Sequence, residues 1–534
     1  MSTINKKKSP KEDPKKHLNW MGNNSWFVSN PLTQLRLAAS SCFFGEPMYY
    51  HQDKSSSSKK ISPVVVNKLN KKELSHLRET LGAVDPQEWR SLNPTELMEK
   101  AIDEALDFNP EETLKYAVEL RNQDFIRTTP QVIMVRAANK KSIKGTGLIG
   151  KYAPGIIKRV DELTVQLAYQ AQTFGKPIPN SLKRAWKKSM ESFNEYQLSK
   201  YRMENRETKL VDVMNVCHPK GEVFNKLAKG ELKLNENTWE SLISKNGSSK
   251  QTWEQAVKVM GHMALLKNLR NLEQNKVDPS LYLTKLIDTA KTGKQLPFRY
   301  YSAYQNVSQA KTKDAIETCL EISMSEIPKF QGKTISLCDN SGSARSATTS
   351  SMGTMLISDI ANLTAVITAK ASEDGYVGVF GDRLKVMQIR KKSSIFDELA
   401  KVEKAGSGIG QATENGIWLF LDNAINKKEH WDNIFIYSDQ QAGHGGLYGL
   451  NERAYSDYSW VSNPRMVDVA KLVQVYRQNV NKNVNVFLVQ VAGYQDTLIP
   501  EYYNRTYILG GWGDGVLKFA GKMIETANLQ QNQQ

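Results

Sequence analysis

The stretch Ser336-Leu337-Cys338-Asp339-Asn340-Ser341-Gly342-Ser343 places a carboxylate and two hydroxyls at alternate positions directly after a short β-prone run. A tight turn at Gly342 would aim the oxygens of Asp339, Ser341 and Ser343 at one point, the arrangement a hard divalent cation requires. Two further segments add oxygen donors. Gly406–Ile425 offers Thr413 at the start of an apolar helix, and Asn433–Gln440 ends an apolar run on Asp439. This set of Asp339, Ser341, Ser343, Thr413 and Asp439 needs no histidine or thiolate, which favours Mg2+, with Mn2+ or Ca2+ as alternatives, over zinc. The competing reading is a polar turn with ordinary helix caps, in which no metal takes part.

Elements able to position these residues follow from the pattern around them. Strand candidates at 334–338, 375–380, 384–389, 433–438 and 483–492 alternate with helical stretches near 350–370, 393–403, 413–426 and 464–479. That alternation predicts an α/β layer with a mostly parallel sheet, in which ligands bind beyond the carboxyl ends of the strands. Before residue 330 the character is helical. A first helix is expected within 31–50, a polar insertion at 51–60, and then a string of helices with Pro94, Pro110 and Pro130 near their starts. Such a string reads as a helical solenoid.

The charge is divided in the same way. The chain has 534 residues and a net charge of +16. Residues 1–330 hold 52 Lys and Arg against 36 Asp and Glu, whereas residues 331–534 hold 20 of each. Excess positive charge confined to the helical half implies a polyanionic partner. The densest basic stretch puts Lys183, Arg184, Lys187 and Lys188 on one helix, followed by Lys200, Arg202, Arg206 and Lys209. Lys140, Lys141 and Lys144 form a second basic loop, and Tyr300, Tyr301 and Tyr304 offer rings for base stacking, although helical spacing favours core packing for at least one of them. The four cysteines form no CxxC pair, which suits a reducing compartment, and no run of 18 apolar residues predicts a membrane span. The basic N-terminus lacks the apolar core of a signal peptide, so a cytoplasmic location is expected.

The separated pieces DxSGS (339–343), GxxTxxG (410–416) and Asp439 after a strand resemble the metal-ion-dependent adhesion site of von Willebrand factor A domains. Upstream, NSLKRAWKKSMESFNEYQLSKYR (180–202), KLVDVMNVCHPK (209–220), HMALLKNLRNL (262–272) and TGKQLPFRYYSAYQ (292–305) resemble the TROVE module of the Ro 60 kDa autoantigen family and its bacterial members. The resemblance implies a multidomain α + α/β fold: a ring of HEAT-type helical repeats followed by a von Willebrand factor A-like domain. The expected division is a flexible basic N-terminus at 1–25, the helical domain at 26–330, the α/β domain at 331–527 and a polar tail at 528–534. It also implies binding of small noncoding Y-like RNA and of single-stranded ends of structured or misfolded RNA, in RNA quality control, processing or decay. Lys200, Arg202, Arg206, Lys209 and His218 are the RNA contacts carried over by the resemblance. They join Lys183, Arg184 and Lys187 from the basic helix. A monomer is expected, with an exoribonuclease or another protein docking at the metal site.

Catalysis is not expected. The metal constellation has no positioned base, no GxSxG elbow is present, and His444 between glycines is the one histidine near Asp439. The alternative function is a protein-interaction scaffold that uses metal-dependent docking without RNA.

Overall fold

The computed structural model describes residues 16–18, 24–27, 30–41, 94–202, 206–232, 238–346, 348, 354–381, 383–410, 416–440, 469–492, 496–498 and 505–531. Helices dominate up to residue 323. Local chemistry explains where many of them begin. Asn109 accepts a hydrogen bond from the Glu112 amide at 3.1 Å, and Pro110 opens the helix Pro110–Asn122 with its fixed φ. Pro94 likewise opens Pro94–Phe108, and Pro130 lies in the first turn of Thr128–Asn139. The basic run at 180–202 is two helices rather than one. Asn180–Ser192 stops at Phe193, and Asn194 caps Glu195–Lys200 through reciprocal bonds with Gln197.

Nine strands are seen among the described residues. β1 (Lys16–Leu18) and β2 (Asn24–Phe27) belong to a small antiparallel sheet that the sequence pattern does not announce. The main sheet contains β3 (Phe330–Asp339), β4 (Ser372–Phe380), β5 (Leu384–Gln388), β6 (Asn433–Ser438) and β7 (Asn485–Gln490). β8 (Asp496–Thr497) completes the small sheet, and β9 (Thr506–Gly510) ends the large one. The large sheet runs β5-β4-β3-β6-β7-β9, parallel except for β5. Every residue of β6 and β7 is buried, as expected for parallel strands covered on both faces. Phe435 stacks on Phe487 with ring centroids 4.4 Å apart and meets Phe330 at 5.2 Å, pairs worth about 0.5–1.5 kcal/mol each beyond the area they bury.

The chain enters the sheet at β3, moves to β4 on one side, then crosses to β6 on the other. The switch point therefore lies between the carboxyl ends of β3 and β6, where open α/β sheets bind ligands.

Both ends of the helical series rest on this α/β layer. The first described helix, Pro31–Ser41, packs against β9, where Gly510 has no Cβ to strike Leu37 and Ser40. The last helices, Pro297–Gln305 and Ala310–Ser323, pack against Ile395–Gly406 and the residue before it. There the Tyr304 and Phe396 rings lie 4.2 Å apart, and Ser394 Oγ donates to Glu317 Oε2 at 2.5 Å. The described helical series thus begins and ends against one layer.

Candidate functional site

Asp339 is the last residue of β3, and the backbone then turns into the short helix Gly342–Ser346. The Asp339 carboxylate itself holds the turn, since its Oδ1 accepts the Ser341 amide at 2.9 Å and its Oδ2 accepts Ser438 Oγ at 2.8 Å. Ser438 ends β6, so the two strand ends are tied side chain to side chain across the switch point. Ser343 Oγ donates to Asp439 Oδ2 at 3.3 Å, and Ser341 Oγ lies 2.9 Å from Ser343 Oγ. Asp339, Ser341, Ser343 and Asp439 thus form one connected oxygen cluster, each at most 9 % exposed. Thr413 and His444 lie outside the described residues.

Burial pushes the Asp339 carboxyl above the usual carboxylate range, against the pull of hydrogen bonds from Ser341 and Ser438. A cation held by these oxygens would favour the charged form. Gln440 gives an independent sign that the cluster is not a finished hydrogen-bond network. It follows Asp439 at a left-handed φ of 61°, is buried, and neither its amide oxygen nor its amide nitrogen has a partner among the described residues. Among the described residues no three His, Cys, Asp or Glu side chains gather at one point. A cation here would be held by two carboxylates and by hydroxyls, as a hard ion such as Mg2+ accepts. The residues present fit that group.

Around the cluster the packing is fixed by polar pairs. Asn340 and Asn362 exchange side-chain hydrogen bonds at 2.7 and 3.1 Å, and Arg345 Nη1 donates to Gly406 O at 2.9 Å. Gly416 starts a helix directly against Phe380, where a Cβ would come within 2.2 Å of that side chain.

The basic candidates fall into different surroundings. Lys200 pairs with Glu240 at 3.3 Å, and Arg202 donates to the Leu232 carbonyl. Both therefore have structural work. Arg206, Lys209 and His218 are exposed; Lys209 precedes the helix Leu210–Cys217, and His218 ends it with a left-handed φ of 49°. On Asn180–Ser192, Lys183 and Lys187 are half-buried, whereas Arg184 and Lys188 are exposed on a different side. Lys140 is tied to Asp107 at 2.8 Å. Tyr300 and Tyr301 are buried, and Tyr304 is half-buried against Phe396, so these rings serve packing rather than base stacking.

The structure brings together a basic group that the sequence reading passed over. Lys267 and Arg270, one turn apart on His262–Gln274, face Arg299 of Pro297–Gln305 across a groove of about 270 Å3. All three are exposed, and no carboxylate pairs with them among the described residues. The surrounding protein desolvates Arg299 and lowers its pKa, which marks a cation in a recess without a counter-charge. The i, i+3 spacing of Lys267 and Arg270 was visible in the sequence; the approach of Arg299 was not.

Residues 224–334, which contain this groove, match the model of the TROVE domain. The chain is similar in fold to the Ro (RSR) protein of Deinococcus radiodurans, with a TM-score of 0.56 and 12 % identity over 92 % of this chain and 99 % of that one. No curated protein sequence matches the chain at a significant level.

Proposed function

We propose that this chain, a TROVE-domain protein built on the fold of a Ro protein, is an RNA-binding protein of the Ro type. The observation that carries the reading is the unpaired trio Lys267, Arg270 and Arg299 along one groove inside the matched segment. Three uncompensated cations in a recess attract a polyanion, and the net charge of +16 sits in the half of the chain that holds them. The ligands in this reading are a small noncoding Y-like RNA and the single-stranded ends of structured or misfolded RNA, in RNA quality control, processing or decay. The protein acts on its RNA by holding it, as a cytoplasmic monomer, and breaks no bond. Among the described residues no helix is long and apolar enough to cross a membrane.

In the same reading the oxygen cluster at the β3–β6 switch point is a docking site. Asp339, Ser341, Ser343 and Asp439 would hold one divalent cation, with Thr413 as a further hydroxyl ligand. A bound cation supplies an open coordination position that a carboxylate of a partner protein, such as an exoribonuclease, can fill. The chain's own residues orient that position: β3 and β6 fix the carboxylates, and the Gly342 turn fixes the hydroxyls.

Titration of a structured small RNA with a single-stranded tail, at several salt concentrations, tests the RNA reading. Affinity should fall steeply with salt. Changing Lys267→Gln, Arg270→Gln and Arg299→Gln together should lower the log–log slope by about 2, at ~0.7 per single-strand phosphate. An affinity independent of salt, or a slope unchanged in the triple variant, would overturn it. Crosslinking in cells followed by sequencing identifies the RNA itself.

A further inference from the structure

A second cleft lies some distance along the helical series. It separates the helix Leu148–Ile156 from Asn180–Ser192 and has a volume of about 580 Å3, within the ~300–1,000 Å3 range of small-ligand pockets. One wall carries Arg184 and Lys188, four residues apart on one helix face, with the hydroxyls of Ser181 and Ser189 beside them. Apolar side chains, among them Ala153, Pro154 and Ile157, make up much of the rest of the lining.

Two features separate this cleft from an ordinary surface furrow. The first is charge. Several cations nearby are matched to carboxylates: Lys151 to Glu111 at 2.5 Å, Arg159 to Asp161 at 2.9 Å, Arg121 to Glu162 at 2.8 Å. Arg184 and Lys188 have no such partner among the described residues, and both are exposed. The second is Gly150. Glycine within a helix costs about 0.5–1 kcal/mol relative to alanine. At Gly147 a positive φ of 80° explains the glycine. Gly150 has no positive φ, and a Cβ there would meet nothing within 4 Å. Its missing side chain answers no packing need of the fold, and Gly150 is among the residues that line the cleft.

We propose that this cleft seats one nucleotide of a single-stranded RNA, its phosphates on Arg184 and Lys188 and its base on the apolar lining. The inference rests on the RNA-binding reading above and assigns to it a second point of contact. No aromatic side chain lines the cleft, so binding is carried by phosphate and shape and distinguishes poorly among bases. The volume suits a nucleotide unit, and the pairing of two cations with an apolar lining matches its two chemical parts.

The test uses the full chain and a labelled oligouridylate, followed by fluorescence anisotropy over a range of salt. Gly150→Leu narrows the cleft without changing charge, and should weaken binding about tenfold. The double change Arg184→Gln, Lys188→Gln should lower the slope by about 1.4, at ~0.7 per phosphate. Gly150→Ala, too small to fill the cleft, should bind as the wild type does, and thermal melting confirms that each variant is folded. Wild-type affinity and slope in both the leucine and the double variant would overturn this cleft while leaving the RNA reading in place, provided the Lys267, Arg270 and Arg299 variant is impaired. A wild type that binds no RNA overturns both. Polyglutamate that displaces the oligouridylate as well as unlabelled RNA does would assign the cleft to an acidic protein and overturn the proposal.

Discussion

Asp124 couples pH to the contact between the helical series and the C-terminal helix. It follows the helix Pro110–Asn122 and sits against Gly515, at the start of the C-terminal helix Asp514–Gln531. Burial, then the charge of Glu119, raises its pKa to about 7; Arg36 opposes the rise, and Asp514 adds to it. Arg36 is already engaged, bridging Glu119 at 3.1 Å and lying 4.3 Å over the Tyr116 ring. In the unfolded chain Asp124 titrates near 4. The folded state therefore holds its proton between about pH 4 and pH 7, where the unfolded state has lost it. Stability falls as pH rises through that window, and the penalty is fully present above about pH 7. A shift of about 3 units at ~1.4 kcal/mol per unit gives about 4 kcal/mol as an upper limit. Partial solvent access lowers that figure, so a loss of ~2–4 kcal/mol is expected. Asp124→Asn, similar in shape and never charged, should match the wild type near pH 4 and exceed it near pH 8. Urea denaturation of both proteins at the two pH values reads this double difference directly. Equal pH dependence in the two proteins, or a variant less stable than the wild type at pH 8, would refute the reasoning.

Arg136 donates to Asp103 Oδ1 at 3.0 Å and to the Tyr169 hydroxyl at 2.6 Å, and lies 3.2 Å from Glu99. Arg136→Ala leaves the half-buried Glu99 without this partner and Asp103 with Lys140 alone, and should cost about 1–3 kcal/mol in chemical denaturation; a loss below ~1 kcal/mol contradicts the arrangement. Asp339→Ala should abolish binding of millimolar Mg2+ or Mn2+ in calorimetry while an RNA shift assay on the same variant stays unchanged. A folded variant that loses RNA binding would show that the two halves do not act separately.

The strand reading was close because β-prone apolar runs are local. β6 falls at its expected 433–438, and β4 and β5 lie within three residues of expectation. β9 was missed. Thr506–Gly510 is short, and its pairing to β7 comes from the tertiary fold rather than from its own pattern. The two-residue β8 and the paired β1 and β2 were missed for the same reason. Tyr300 and Tyr301 both pack, where helical spacing favoured packing for at least one of the three tyrosines without saying which face of Pro297–Gln305 meets a neighbour.

By itself the sequence determined the donors and where each would sit along the chain. Asp339 and Asp439 end apolar runs, so any parallel arrangement of those runs places them at the same edge of the sheet. It also determined that the excess positive charge belongs to the first 330 residues. Only the tertiary structure decided which of these groups are available. β3 pairs with β6 across nearly a hundred residues, and that pairing joins Ser343 to Asp439. Lys200 looked free in sequence and meets Glu240, while Lys267, Arg270 and Arg299 come together without a carboxylate opposite them. A helix's own period fixes which residues share its face. Whether that face finds a counter-charge depends on the helix packed beside it, and that neighbour is chosen by burial of the apolar core.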